Sequence, residues 1–214
     1  MANINLHFGD SLAAMRAMPD QCYDLAIVDP PYGIGMDGGD IGKGVLGPQS
    51  TYTKKSWDNQ TPTPEYFAEL RRVAKNQIIW GGNYFDLPPT PCILVWDKCN
   101  GGNDFADCEL AWCSFATAVR KFEYRWQGFL QQNMKSKEKR IHPTQKPVAL
   151  YQWCLERYAK PGDRILDTHL GSGSIAIACH NMGYDLDAWE LDPDYHAAAV
   201  ARFTQHIQQL QLPW

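Results

Sequence analysis

The chain predicts an α/β fold, a mostly parallel sheet with helices on both faces. Three observations carry it. Segments 23–29, 77–80 and 92–96 are nearly continuous apolar runs, the pattern of strands buried on both faces. Stretches with apolar residues at helical spacing fall between several of them. Residues 163–190 then read as one unit: strand, glycine turn, helix, strand, acid. At 214 residues and 44% hydrophobic content, a single domain over 1–214 is expected.

Taken in order, strands are predicted at 4–8, 23–29, 77–80, 92–96, 110–115, 122–130, 163–167 and 185–190. A helix over 64–75 opens on Thr63-Pro64 and places Phe67, Leu70 and Ala74 on one side. Another spans 147–159, from Pro147 to the Pro161-Gly162 stop. Residues 173–182 align Ile175, Cys179 and Met182, and a last helix runs from about 194 to 210. Residues 33–60 hold seven of the 17 glycines with no apolar period, which predicts a long loop of the functional kind.

Composition excludes several classes. No apolar window reaches the roughly 18 residues of a membrane span, and the start, M-A-N-I-N-L-H-F-G-D, does not read as a signal peptide. A cytoplasmic location is expected. The seven cysteines (22, 92, 99, 108, 113, 154, 179) show no C-x-x-C spacing, so reduced, buried thiols are predicted and no metal site. The net charge of −4 gives no global attraction to a polyanion, but Lys135, Lys137, Lys139, Arg140 and Lys146 cluster around the single Glu138.

Two stretches carry chemistry. Asp29-Pro30-Pro31-Tyr32 closes a buried strand with a carboxylate, two rigid imino acids and an aromatic. In the second, Gly171 and Gly173 permit a tight turn and close approach to a ligand, with helix-start amides suited to a carboxylate or phosphate. Glu190, 19 residues after Gly171, ends the next strand, where a carboxylate can accept both hydroxyls of a ribose. Asp167, ending the first strand, can hold a cationic amino group. G-S-G-S-I-A also fits a dinucleotide fingerprint, but only 41 residues follow Gly173, which favours one adenosine with an amino-acid tail over a dinucleotide oxidoreductase.

G-D-S-L at 9–12, D-P-P-Y at 29–32, H-P-T-Q-K-P at 142–147, D-T-H-L-G-S-G-S at 167–174 and W-E-L-D-P-D-Y at 189–195 together resemble one family. It is the DNA amino-methyltransferases that use S-adenosylmethionine, in the permuted beta order and with adenine N6 as target. The chain is similar to small phage and prophage members through W-G-G-N-Y-F at 80–85 and F-A-D-C-E-L-A-W at 105–112. The resemblance implies a Rossmann-like class I methyltransferase fold of the seven-stranded type, circularly permuted, and no metal for the transfer. It implies catalysis by Asp29, Pro30, Pro31 and Tyr32. The Asp29 carboxylate and Pro30 carbonyl would each accept an N–H of the target amine, and Tyr32 would stack on a base flipped out of double-stranded DNA. Trp57 or Phe85 would supply further pocket walls.

For the cofactor, the resemblance implies Asp10, Asp29, Thr144, Lys146, Asp167, His169, Gly171, Ser172, Gly173, Glu190 and Leu191. Asp10 reads equally as a helix N-cap, Thr144 as the cap of the helix after it, and His169, standing where the family has an aromatic, as a packed core histidine. DNA contacts are expected from Lys43, Lys54, Arg120, Arg125, Lys135, Lys137, Lys139 and Arg140, within loop 33–60 and a target-recognition region of about 98–140. Phe122, Tyr124 and Trp126 read first as half of a sheet face. A homodimer and a cognate restriction enzyme are further expectations. The rival readings are a cytosine-N4 methyltransferase of the same fold, for which the family more often has Ser at position 29, and a non-catalytic DNA- or cofactor-binding module.

Overall fold

The computed structural model describes residues 2–40, 51–101, 106–127 and 130–209. Its strands are β1 (Ile4–Phe8), β2 (Tyr23–Val28), β3 (Gly39–Asp40), β4 (Thr51–Tyr52), β5 (Ala74–Trp80), β6 (Ile93–Asp97), β7 (Cys108–Cys113), β8 (Arg120–Glu123), β9 (Trp126–Gln127), β10 (Leu130–Gln131), β11 (Arg164–Asp167) and β12 (Asp185–Glu190). The helices are α1 (Ser11–Arg16), α2 (Pro64–Val73), α3 (Val148–Tyr158), α4 (Ser174–Met182) and α5 (Pro193–Gln209). Eight strands form one sheet in the order β1-β12-β11-β2-β5-β7-β6-β8. Only β7 runs against its neighbours.

Continuous apolar strands are buried on both faces here as predicted. Leu25, Ile27 and Ile78 point to the face covered by α3 and α4 through Leu150, Cys154, Ile175 and Cys179. Ala26, Val28 and Ile79 point to the other, where Met15 of α1 and Tyr66, Phe67, Leu70 and Val73 of α2 pack. Thr63 caps α2 with its hydroxyl on the Tyr66 amide, and Pro64 takes the first turn, where no amide donor is needed.

Three expectations change. The 122–130 strand breaks: β8 ends at Glu123, and Trp126 turns inward to donate its indole N–H to the Gln145 carbonyl at 2.8 Å, starting the β9–β10 hairpin. Buried Trp satisfies its one donor this way, and that bond outweighs strand propensity. The short α1, without the length to show a period, was not predicted. Of the cysteines, all free, Cys92, Cys113, Cys154 and Cys179 are buried, whereas Cys99 and Cys108 are exposed near strand ends. Phe122, by contrast, stacks on Trp153 of α3 at 5.2 Å and on Tyr124 at 5.6 Å, the sheet-face role expected.

Candidate active site

Along one edge of the sheet the parallel strands present their carboxyl ends: Asp29 follows β2, Asp167 ends β11, Glu190 ends β12, and Gly81 follows β5. Ligands of open α/β sheets bind outside these ends.

The D-P-P-Y carboxylate sits in a buried charge cluster. Asp29 Oδ1 lies 2.5 Å from Lys146 Nζ and accepts the Tyr32 hydroxyl at 2.7 Å. Lys146 Nζ also donates to Glu109 Oε2 at 3.0 Å and to the Tyr32 hydroxyl at 3.0 Å. An ammonium has three protons, and here each has an acceptor. Glu109 Oε1 in turn pairs with Lys98 Nζ at 2.5 Å. Lys146 is only 4% exposed, and an isolated charge at such a depth would be costly. Burial alone would discharge Lys146, but Asp29 and Glu109 outweigh it and raise its pKa. Burial likewise opposes the Glu109 charge, yet Lys146 and Lys98 hold its pKa down to about 2. Asp29 is pushed above the usual carboxylate range by burial, with Glu109 adding to the effect.

This arrangement distinguishes the two oxygens of Asp29. Both of its contacts fall on Oδ1, and no hydrogen bond from the described residues reaches Oδ2. The second oxygen is therefore the acceptor available to a ligand amine. Lys146, expected at the methionine end of a cofactor pocket, has its three protons directed to Asp29, Glu109 and Tyr32.

The turn itself is held by Asp58, a residue that sequence reasoning missed. Its Oδ1 accepts the Tyr32 and Gly33 amides at 2.8 Å each, and its Oδ2 accepts the Met36 amide at 2.7 Å. Asp58 is 2% exposed, within a glycine-rich stretch whose composition suggested a solvated loop. No periodicity marks such a residue; the clue was an acid beside Trp57 in the loop following D-P-P-Y.

Tyr32 is half-buried. Its ring stacks on Tyr84 with centroids 4.9 Å apart and meets the edge of Phe85 at 6.1 Å. Gly81 makes this possible: its φ is +72°, and a Cβ there would overlap the Tyr32 ring. Of the two expected pocket walls, Phe85 lies at Tyr32. Trp57 packs instead against His142, 5.1 Å away, and His142 meets Tyr195 at 4.2 Å.

Beside this lies the glycine turn. Glu190 Oε2 accepts the Gly171 amide at 2.8 Å and Oε1 accepts the Asp192 amide at 2.9 Å, which orients the carboxylate at the turn. Gly173, at φ +72°, starts α4, and Arg202 of α5 reaches back to the Ser172 carbonyl at 2.8 Å. Leu191 is exposed next to Glu190. Asp167 is 1% exposed, and its donors are backbone amides, that of His169 at 3.0 Å. Burial, with Asp29 and Glu190 nearby, raises its pKa to about 8. A buried carboxylate among carboxylates suits a ligand ammonium, and Glu190 suits a ribose; the donor set fits S-adenosylmethionine.

Asp10 caps α1, its Oδ1 accepting the Leu12 amide at 2.9 Å. His169 is a packed histidine, its Nδ1 2.9 Å from the Thr168 hydroxyl and its ring against Tyr66, with burial lowering its pKa to about 4. Thr144 does not cap α3. Its hydroxyl lies 3.2 Å from His142 Nδ1, while the Val148 amide is taken by Glu138 Oε1 at 3.1 Å.

Of the basic residues, Arg125, Lys135, Lys137 and Lys139 are exposed. Lys54 is tied to the Gly35 carbonyl at 3.0 Å and to Asp37. Arg140 is partly buried and donates to the Pro143 carbonyl at 2.5 Å, so its guanidinium faces the protein. Arg120 begins β8, which runs with β2 and β5, and so lies at the opposite edge of the sheet from Asp29; it is removed from the expected DNA face. Lys43 lies outside the described residues.

An α/β sheet with this site edge, D-P-P-Y first and the glycine turn last, defines a Rossmann-like class I methyltransferase in permuted order. The N6/N4 DNA methylase family matches residues 95–201, half of the chain. The protein belongs to that family and is an S-adenosylmethionine-dependent DNA methyltransferase. It is 23% identical over 244 residues to the type II methyltransferase M.HinfI of Haemophilus influenzae, covering 92% of this chain and 67% of that protein. To the type II methyltransferase M2.MboI of Moraxella bovis it is 23% identical, covering 82% and 78%. Among solved structures, the M1.HpyAVI–SAM complex superposes with a TM-score of 0.58 at 20% identity, over 93% of this chain and 99% of that one. The cytosine-N4-specific PvuII DNA methyltransferase does so at 0.61 and 14% identity, over 98% and 93%.

Proposed function

We propose that the protein methylates the N6 amino group of an adenine flipped out of double-stranded DNA. The observation that carries this reading is the fixed orientation of Asp29, with Oδ1 held by Lys146 and Tyr32 and Oδ2 left for the substrate. The exocyclic nitrogen is a weak nucleophile because its lone pair is conjugated with the ring. Asp29 Oδ2 and the Pro30 carbonyl accept its two N–H groups and turn the lone pair toward the donor, a positioning effect worth several powers of ten when geometry is exact to within tenths of an ångström. S-adenosylmethionine supplies an electrophilic methyl group on sulfonium sulfur. Asp167 would hold its ammonium, Glu190 its ribose hydroxyls, and Gly171, Ser172 and Gly173 the turn around it, with Leu191 against the adenine.

Fold does not choose between adenine and cytosine, since a cytosine-N4 enzyme shares it. The choice rests on Asp29, where the N4 enzymes more often carry Ser. Target recognition falls to about 98–140 and loop 33–60, with Arg125, Lys135, Lys137 and Lys139 contacting phosphate; the whole of 1–214 acts as one domain. A homodimer, a cognate restriction enzyme and a cytoplasmic location complete the reading.

Asp29→Ala tests it. Methyl incorporation into unmethylated DNA is expected to fall about 10²–10³-fold, the scale of losing one preorganised polar group. Binding of S-adenosylmethionine, measured by calorimetry, should be largely retained. Methylation that survives the substitution contradicts the assignment of Asp29.

A further inference from the structure

We propose that Glu109 is a positioning residue for methyl transfer: backed by Lys98, it holds the Lys146 ammonium where it fixes Asp29 Oδ1 and the Tyr32 hydroxyl. The inference rests on the role assigned to Asp29 above.

The geometry is a chain of contacts from a strand distant in sequence. Glu109 lies on β7, which runs against both of its neighbours in the eight-stranded sheet, and its two oxygens point to different lysines: Oε1 to Lys98 at 2.5 Å, Oε2 to Lys146 at 3.0 Å. Lys146 precedes α3 and spends its remaining protons on Asp29 and Tyr32, both from the turn after β2. Three separate segments thus converge on one ammonium. Without Glu109, a buried Lys146 would face only Asp29 and Tyr32, and could follow either one. With it, three acceptors define one position for Nζ, which in turn defines one rotamer for Asp29 and one oxygen for the substrate. Lys98 keeps Glu109 from turning away.

Charge supports the same assignment. The titratable groups facing Asp29 come from several packed elements: Tyr32 on its own turn, Tyr66 on α2, Glu109 on β7, Lys146 and Tyr151 at α3, and Asp167 on β11. Glu109 acts on Asp29 in two opposite ways, raising its pKa directly while keeping beside it the Lys146 charge that lowers it. Removing the Glu109 charge leaves Lys146 paired to Asp29 alone, so Asp29 ionises at lower pH. Removing the Lys98 charge has the reverse effect, because Glu109 then bears on Asp29 without its own counter-ion.

Single-turnover incorporation of labelled methyl into DNA, measured against pH, reads both variants whichever base receives the methyl. Glu109→Gln is expected to slow the step about tenfold or more, the low end of the loss from one misplaced polar group. The acid limb of the profile should move to lower pH, and the Kd for S-adenosylmethionine should not change. Lys98→Met should slow the step less and move the acid limb to higher pH, and it reports on the cluster from its partly exposed rim even where Glu109→Gln folds poorly. Rates unchanged in both variants, a loss matched by an equal loss of cofactor affinity, or acid limbs that stay in place would each overturn the proposal. If wild-type product is N4-methylcytosine while these shifts occur, the adenine reading fails and the role of Glu109 stands.

Discussion

Asp58 accepts three backbone amides from the turn it faces, those of Tyr32, Gly33 and Met36, and so does for the D-P-P-Y segment what a capping residue does for a helix end. The prolines supply stiffness to the first half of the turn, since they lack amides and have fixed φ; Asp58 supplies it to the second half. Asp58→Ala removes a charged acceptor and leaves these amides to water. A loss of about 2–3 kcal/mol in denaturant-induced unfolding is expected, the scale for hydrogen bonds to a charged group. Turnover should fall with it, because Tyr32 carries a hydroxyl that both Asp29 and Lys146 use. Unchanged stability would mean that the turn is fixed by other contacts. Asp58 was not legible in the sequence for a physical reason: a side chain that caps irregular backbone obeys no period, and only the fold brings it 26 positions back along the chain to Tyr32.

At the scale of elements, the glycine turn is braced by α5 as much as by its own strand and helix. Arg202 donates to the Ser172 carbonyl at 2.8 Å and to the Ser174 hydroxyl at 2.9 Å, and it pairs with Glu138 Oε2 at 2.7 Å. Glu138 also takes the Val148 amide that Pro147, without a side-chain acceptor, leaves unmet at the start of α3. One acid of the basic run thus joins α3, α5 and the turn, and explains why the run is not purely basic. Arg202→Met strips a partly buried acceptor of its donor, for a loss of about 1–3 kcal/mol. A several-fold rise in the Kd for S-adenosylmethionine should accompany it, measurable by calorimetry; an unchanged Kd would show that the turn keeps its shape alone. The helices α2, α3 and α4 and most strands were legible because burial repeats at fixed periods. The break after β8 was not, since Phe122, Tyr124 and Trp126 alternate as a strand should and only the tertiary bond from Trp126 to Gln145 turns the chain.

Across the molecule, the fold brings the two motifs together: D-P-P-Y and the glycine turn, far apart in sequence, follow adjacent strands β2 and β11. What the sequence could not reveal was the partner that makes Asp29 a directed acceptor. Lys146 was visible in H-P-T-Q-K-P, but its contact with Asp29 joins positions far apart in sequence, and Glu109 on β7 and Lys98 just past β6 are brought together by an antiparallel pairing that no local signal announces. With a net charge of −4, the proposed DNA contact calls for a local basic surface, and Lys135, Lys137 and Lys139 are exposed, while Arg120 lies at the end of the sheet opposite Asp29. The proposed reaction requires a flipped adenine whose amino group meets Asp29. The most direct measurement is to incubate the protein with labelled S-adenosylmethionine and unmethylated genomic DNA, digest the DNA to nucleosides and identify the labelled one. The expected product is N6-methyladenine within a defined flanking sequence; N4-methylcytosine, or label in no nucleoside, would contradict it.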